Sequence, residues 1–148
     1  HGRVFCREGK AMDSCIFCKI ANGEIPSATI YEDEEVRVIL DIAPAAKGHA
    51  ILLVKKHAAN LFELDEQTAG KIFSVVPKVA TAIKEELGCD GMNILQNNGE
   101  AAGQTVFHLH IHFIPRWNSD TVNIGWKPGS YAEGEAAELA ERIAQRVK

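Results

Sequence analysis

Apolar and polar positions alternate with a period of two over several short stretches of this chain, and with a helical period over two longer ones. Residues 30–32 and 36–40 are short β-branched runs separated by Asp33-Glu34-Glu35, which predicts a hairpin. A loop over residues 44–48 leads to the apolar run 50–54, a further strand. From 64 to 88 the period changes: Ile72, Val75, Val76, Val79, Ile83 and Leu87 fall on one helical face. Asp65 is placed to cap that helix and Gly88 to stop it, while Pro77 inside it predicts a kink or a break. Residues 92–96 form the next expected strand, 97–104 a polar loop, and 105–114 a strand antiparallel to the previous one. Residues 15–21 suggest a short helix or turn closed by Asn22-Gly23, and 135–147 a weaker helix with Leu139, Ile143 and Val147 on one side. Strands, a long helix, more strands and a final helix make an α+β pattern with an antiparallel sheet.

Within the last strand the polar positions are His108, His110 and His112, alternating with Leu109, Ile111 and Phe113. A strand points successive side chains to opposite faces, so all three imidazoles share one face. Cα atoms two residues apart lie about 6.6 Å from one another, and those four apart about 13 Å. Two neighbouring rings reach a common centre easily and three do not, which favours divided roles, with the middle ring free for chemistry. Imidazole acts as base, nucleophile or metal ligand near neutral pH. Burying three such rings without a purpose costs stability.

Composition narrows the reading. At 148 residues, 46% apolar and 24% charged, the chain suits one domain with a real core. A net charge of −4 with scattered basic residues gives no nucleic-acid groove and no attraction to an anionic membrane surface. The longest apolar run, 50–54, is far too short to span a bilayer. Met12 resembles a natural start, so residues 1–11 are expected to be a tag-derived or disordered extension and 12–148 a single domain. With no secretory signal in view, Cys6, Cys15, Cys18 and Cys89 are expected as thiols or metal ligands in a cytoplasmic protein.

Cys15-Ile16-Phe17-Cys18 is a C-x-x-C pair, open to zinc, thiol redox or no chemistry at all. A redox pair belongs in a thioredoxin-like βαβ context, and that pattern is missing. Two thiolates with His57 and one strand histidine would complete a tetrahedral Cys2His2 zinc set. In the loop before the histidine strand, Asn97, Gln104 and Thr105 are neutral groups suited to an oxyanion, against the simpler reading of a polar hairpin loop. Asp41 is either a turn carboxylate or an acceptor for a ribose diol.

His108-Leu109-His110-Ile111-His112-Phe113-Ile114 resembles the His-φ-His-φ-His-φ-φ signature of the histidine-triad (HIT) superfamily. Cys15-Ile16-Phe17-Cys18-Lys19-Ile20, Gly23-Glu24-Ile25-Pro26-Ser27, Tyr31-Glu32-Asp33, Leu40-Asp41-Ile42, Lys47-Gly48-His49 and Gly103-Gln104-Thr105-Val106-Phe107 are similar, in the same order, to bacterial members of its Hint branch. The resemblance implies a HIT-like fold: an antiparallel sheet of about five strands with one long helix and a C-terminal helix. It implies a nucleotide-binding hydrolase or transferase acting at the α-phosphate of a nucleoside monophosphate ester or amide.

By position, His110 would be the nucleophile and form a nucleotidyl-histidine, with His112 and His49 on the phosphate and leaving group. Gln104, Thr105 and Asn97 would bind phosphate oxygens, and Asp41 the ribose hydroxyls. Phe17, Ile20, Leu40 and Ile42 would line the base pocket. Zn2+ would be structural, on Cys15, Cys18, His57 and His108. A homodimer with joined sheets is implied, and Gly125-Trp126-Lys127-Pro128-Gly129 resembles a stretch that helps set leaving-group preference. The leading activity is cleavage of a purine nucleoside phosphoramidate such as AMP-lysine. Dinucleoside polyphosphate hydrolysis, a non-catalytic nucleotide-binding or zinc-stabilised module, and an H-x-H metalloenzyme are the alternatives.

Overall fold

The computed structural model describes residues 15–147; the expected extension over residues 1–11 lies outside them, as does Cys6. The elements are α1 (Ile16–Ala21), β1 (Thr29–Glu32), β2 (Val36–Leu40), β3 (Ala50–Val54), α2 (Glu66–Leu87), β4 (Gly91–Leu95), β5 (His110–Arg116) and α3 (Glu135–Arg146). The strands form one antiparallel sheet in the order β1-β2-β3-β5-β4. β3, the central strand, is buried along its whole length, which is why it is uniformly apolar rather than alternating.

The two faces of the sheet do different work. Val36, Val38, Leu52, Leu109, Ile111 and Phe113 face α2 and meet Ile72, Val75, Val79 and Ile83 in the main core. On the other face, Ile39, Ile51 and Leu53 pack with Ala21 of α1, flanked by Phe17 and Ile20. Arg37 fixes α1 there, donating through Nε to the Ala21 carbonyl at 3.2 Å. Register pairs Leu53 with His110, and Ile51 and Leu95 with His112, so those two histidines sit on the α1 face.

The caps of α2 are as the sequence implies: Asp65 Oδ1 accepts from the Thr68 N–H at 2.7 Å, and Gly88 closes the helix at φ +63°. Pro77, however, does not break it, and helix runs unbroken from 66 to 87. Pro77 is exposed, so the carbonyl it leaves without an intrahelical partner faces the solvent side.

The histidine strand is shorter than its alternation suggests. Regular pairing starts at His110, not near 105, because β3 ends at Val54 and the partner changes. The Leu109 N–H donates to the Ala58 carbonyl at 2.8 Å, and Gln104 Nε2 donates to the Ala59 carbonyl at 2.7 Å. Residues 104–109 therefore follow the segment after β3 and leave the ladder. Among the described residues, no helix is long and apolar enough to cross a membrane.

Candidate functional site

Of the chain's six histidines, five meet on the α1 face. The ring centroids of His110 and His112 are 5.0 Å apart, those of His49 and His112 5.2 Å, and those of His57 and His108 6.4 Å. Phe17 from α1 stands edge-on to His110 at 4.9 Å.

Hydrogen-bond partners assign a tautomer to each ring, one shared by His49 and His112 and the other to His110. The backbone N–H of Ala45 donates to His49 Nδ1 at 2.9 Å, so a neutral His49 carries its proton on Nε2. That Nε2–H donates to His112 Nδ1 at 3.0 Å, which leaves His112 with a proton on Nε2. His110 is reversed. Its Nδ1 lies 2.7 Å from the His108 carbonyl, an obligate acceptor, so Nδ1–H donates and the lone pair is on Nε2. A ring with a free Nε2 lone pair thus stands beside a ring that offers Nε2–H.

Burial pushes His49, His110 and His112 toward the neutral form, and the neighbouring rings hold His112 down to about 4. Asp41 works against this, with Oδ2 3.7 Å from His49 Nε2. An unfolded chain binds protons on these rings below about pH 6.5, whereas folded His112 resists until nearer pH 4 and His49 and His110 are also held below their ordinary range. The unfolded state holds more protons inside that window. The stability these rings contribute is therefore complete above pH 6.5 and lost as pH falls toward 4. Unfolding midpoints measured at pH 7 and pH 4.5 are expected to differ by several degrees, lower at pH 4.5, and an unchanged midpoint would contradict neutral burial of the cluster.

Asp41, His49 and His112 place ligand atoms within 4.8 Å of one another. Their hydrogen bonding does not suit a metal: coordination at His49 Nε2 would expel its proton while Nδ1 still faces the donating Ala45 N–H. That argues against a metal held by this trio.

A second cluster has the donor chemistry of zinc. His108 is fully buried, and Nε2–H donates to the Val54 carbonyl at 2.7 Å, which turns the Nδ1 lone pair toward the cysteines. Nδ1 is 3.3 Å from Cys18 Sγ and 3.7 Å from Cys15 Sγ. Tetrahedral zinc with its usual bond lengths separates S and N by about 3.6 Å, so the spacing fits. His57 is buried next to His108 but outside the group of three ligand atoms within 4.8 Å. Of the expected thiols or metal ligands, free thiols do not hold for this pair, while the donor cluster keeps the metal-ligand alternative. Cys15 and Cys18 are in disulfide form, and they accept a metal only as thiolates, after reduction. Cys89 is a buried free thiol.

The loops bring some expected residues to the site and use others elsewhere. Asn97 follows two residues after β4, its amide beside Gly103, and Thr105 is exposed. Gln104 is buried and its amide is fully engaged: Oε1 accepts from the Gly99 N–H, and Nε2 donates to the Ala59 and Val106 carbonyls. It holds the loop in shape instead of offering donors to a phosphate. Asp41 Oδ1 accepts from the Ala43 N–H at 2.8 Å, a turn role, with Oδ2 near His49.

Of the four residues expected around a base, Phe17 and Ile20 flank the histidine face, whereas Leu40 and Ile42 lie away from it. Ile39 is on that face, so Leu40, one residue on, lies beside Ile83 and Leu87 on the α2 side, and Ile42 is fully exposed. Ile39, with Ile51 and Leu53, is the apolar wall that sequence reasoning missed. The alternation within β2 carried the signal. The Ala45 amide that aims His49 was also missed, and no residue type announces a backbone N–H.

Comparison with known proteins agrees with this architecture. A HIT domain model matches residues 22–119. The chain is 44% identical over 138 residues to Protein hit of Bacillus subtilis, covering 91% of this chain and 95% of that protein. It is 40% identical over 136 residues to adenosine 5'-monophosphoramidase hnt1 of Schizosaccharomyces pombe, covering 91% and 99%. A solved Streptococcus mutans structure superposes with TM-score 0.90 at 41% identity, over 95% of this chain and 89% of that one. A zinc-bound histidine triad family protein from Mycobacterium smegmatis superposes with TM-score 0.70 at 39% identity, over 90% and 95%. On the triad, the sheet and these matches together, the chain belongs to the HIT family.

Proposed function

We propose that this chain is a nucleotide hydrolase that cleaves at the α-phosphorus of AMP amides and related AMP esters through a nucleotidyl-histidine. The observation that carries the reading is the tautomer pair: a lone pair on His110 Nε2 beside a proton on His112 Nε2. The adenosine 5'-monophosphoramidase of Schizosaccharomyces pombe, 40% identical, supports the substrate class.

In the first step His110 Nε2 forms a bond to the α-phosphorus as the bond to the leaving amine or alcohol breaks. His110 Nδ1–H stays on the His108 carbonyl, which stabilises the positive charge that develops on the ring. His112 Nε2–H donates to the phosphoryl group or the leaving atom, with Asn97 and Thr105 as further donors. Water then attacks phosphorus as the bond to His110 Nε2 breaks, AMP leaves, His110 regains its lone pair, and the proton that water loses replaces the one His112 gave to the leaving group. Asp41 takes the ribose hydroxyls, and Phe17, Ile20 and Ile39 wall the base. Splitting one displacement into two lowers each barrier.

Cys15, Cys18 and His108, with His57 moving in as the fourth ligand, would hold a structural Zn2+ that ties α1 to the histidine segment. The active form is a homodimer.

The test is a rapid quench of the protein with an adenosine phosphoramidate under non-acidic conditions, followed by peptide mass spectrometry. One adenylyl group is expected on the peptide carrying His110. Turnover with the adduct at another residue, or with none trapped at any time point, would overturn the mechanism.

A further inference from the structure

The face of the sheet away from the histidines carries an apolar groove between β1 and α2 that no part of the site uses. Its wide end is a cavity of about 450 Å³ floored by Ile30, Leu40, Ala82, Ile83 and Leu87. A narrower end continues past Ala82 to Val79 and Tyr31. Lys78, lying 4.5 Å over the Tyr31 ring, rims the narrow end. Lys47 rims the wide end on the loop side, and Glu86 on the α2 side.

The same chain carries a helix in want of such a groove. α3 has no buried residue; Ile143 is 53% exposed and Val147 75%. Its apolar side is formed by Ala136, Leu139, Ala140 and Ile143 at helical spacing. It is reached through residues 117–134, which hold no helix or strand.

We infer that α3 of one copy docks its apolar side into the β1/α2 groove of a second copy. Charge selects both the occupant and its direction. The first half of α3 is acidic, with Glu135, Glu138 and Glu141, and its end is basic, with Arg142 and Arg146. Laid parallel to α2, the acidic half meets Lys78, while Arg142 and Arg146 meet Glu86. Glu135, Arg142 and Arg146 all flank the same side of the apolar stripe, so Glu135 is the acidic residue that reaches Lys78. The groove runs alongside residues 79–87 of α2, and twelve residues of α3 span about 18 Å, enough to fill it. A two-fold pair makes the contact twice, which doubles the area holding the copies together. Because Lys47 and Gly48 directly precede His49, the docked helix also bears on the loop that aims that ring.

The inference rests on the homodimer proposed above, and the experiment separates the two. Full-length Ala82→Cys and Ala140→Cys variants, both at exposed positions, are mixed and oxidised, with each variant alone as control, and light scattering gives the mass of the unmodified protein. The expected result is a covalent dimer joining one chain of each kind, with a yield that drops at least five-fold in Lys78→Glu and recovers when Glu135→Lys is added to the α3 donor. A dimer by scattering with no mixed cross-link overturns the docking and leaves the dimer standing. A monomeric mass overturns both. A monomer-sized internal cross-link in the double variant, or an Ala140→Cys homodimer in preference to the mixed one, assigns α3 elsewhere and overturns the proposal.

Discussion

His110→Ala is expected to lower turnover of an adenosine phosphoramidate by about 10⁴-fold or more, with AMP affinity within a few-fold of wild type. The asymmetry follows from what the ring does. Its Nδ1–H is held on the His108 carbonyl, so its contribution lies in the Nε2 lone pair, which matters when a bond to phosphorus forms and little when nucleotide merely sits in the pocket. Removing it deletes the first step outright, because His112 and His49 are tautomerically unfit to replace it: His112 Nδ1 already accepts from His49, and His49 Nδ1 from Ala45. His112→Ala removes only a donor, a loss typically nearer 10²–10³-fold. Turnover by single-turnover kinetics and AMP affinity by calorimetry read the two effects separately. Comparable losses in both variants, or a His110 variant with weak activity but lost AMP binding, would contradict a nucleophilic role. Zinc content is expected to be unchanged in His110→Ala, since its ring is not among the metal-type donors around Cys15 and Cys18.

Much of this arrangement was legible in the chain, and what escaped did so for physical reasons. Asp65 and Gly88 delimited α2 because capping is local chemistry, settled within a few residues. β2 and β3 were found at their observed bounds because apolar runs of that length have few other uses. The start of β5 was misplaced because side-chain alternation continues through residues 107–109 after the hydrogen-bond partner has changed from β3 to Ala58. Alternation reports which side chains are buried, and the ladder is a property of the neighbour. Leu40 failed for a related reason: a position carried over by resemblance ignored that Ile39, not Leu40, shares the histidine face. Three histidines on one strand announced chemistry, but their division of labour depends on carbonyl and amide partners at His108, Val54 and Ala45, supplied by the turns of the fold. α3 was visible as an amphipathic helix, and its lack of any buried residue among those described was not.

The second large effect is expected at the sulfur cluster. In protein prepared with reductant, Cys18→Ala should fall from about one zinc per chain to none and unfold at least about 10 °C lower than the wild type. Reduction is essential to the comparison, because Cys15 and Cys18 also exist as disulfide-bonded residues and the substitution removes both states. With reductant present only the metal is at stake. The expected size follows from what zinc would join. α1 is six residues long, too short to be stable alone, and Cys15 and Cys18 at its start are the groups that lie against His108. Without the metal, α1 keeps mainly the Arg37 contact and the small cluster around Ile39, and it carries Phe17, which stands against His110. Loss of zinc should therefore weaken AMP binding through a displaced Phe17 while leaving the His110 and His112 tautomers intact. Chelation of the reduced wild type should reproduce the drop, and a Cys18→Ala protein should be indifferent to chelator. A reduced wild type that binds no zinc, or whose unfolding midpoint does not move when chelator is added, would reduce the cluster to a redox pair on a helix that stands without metal.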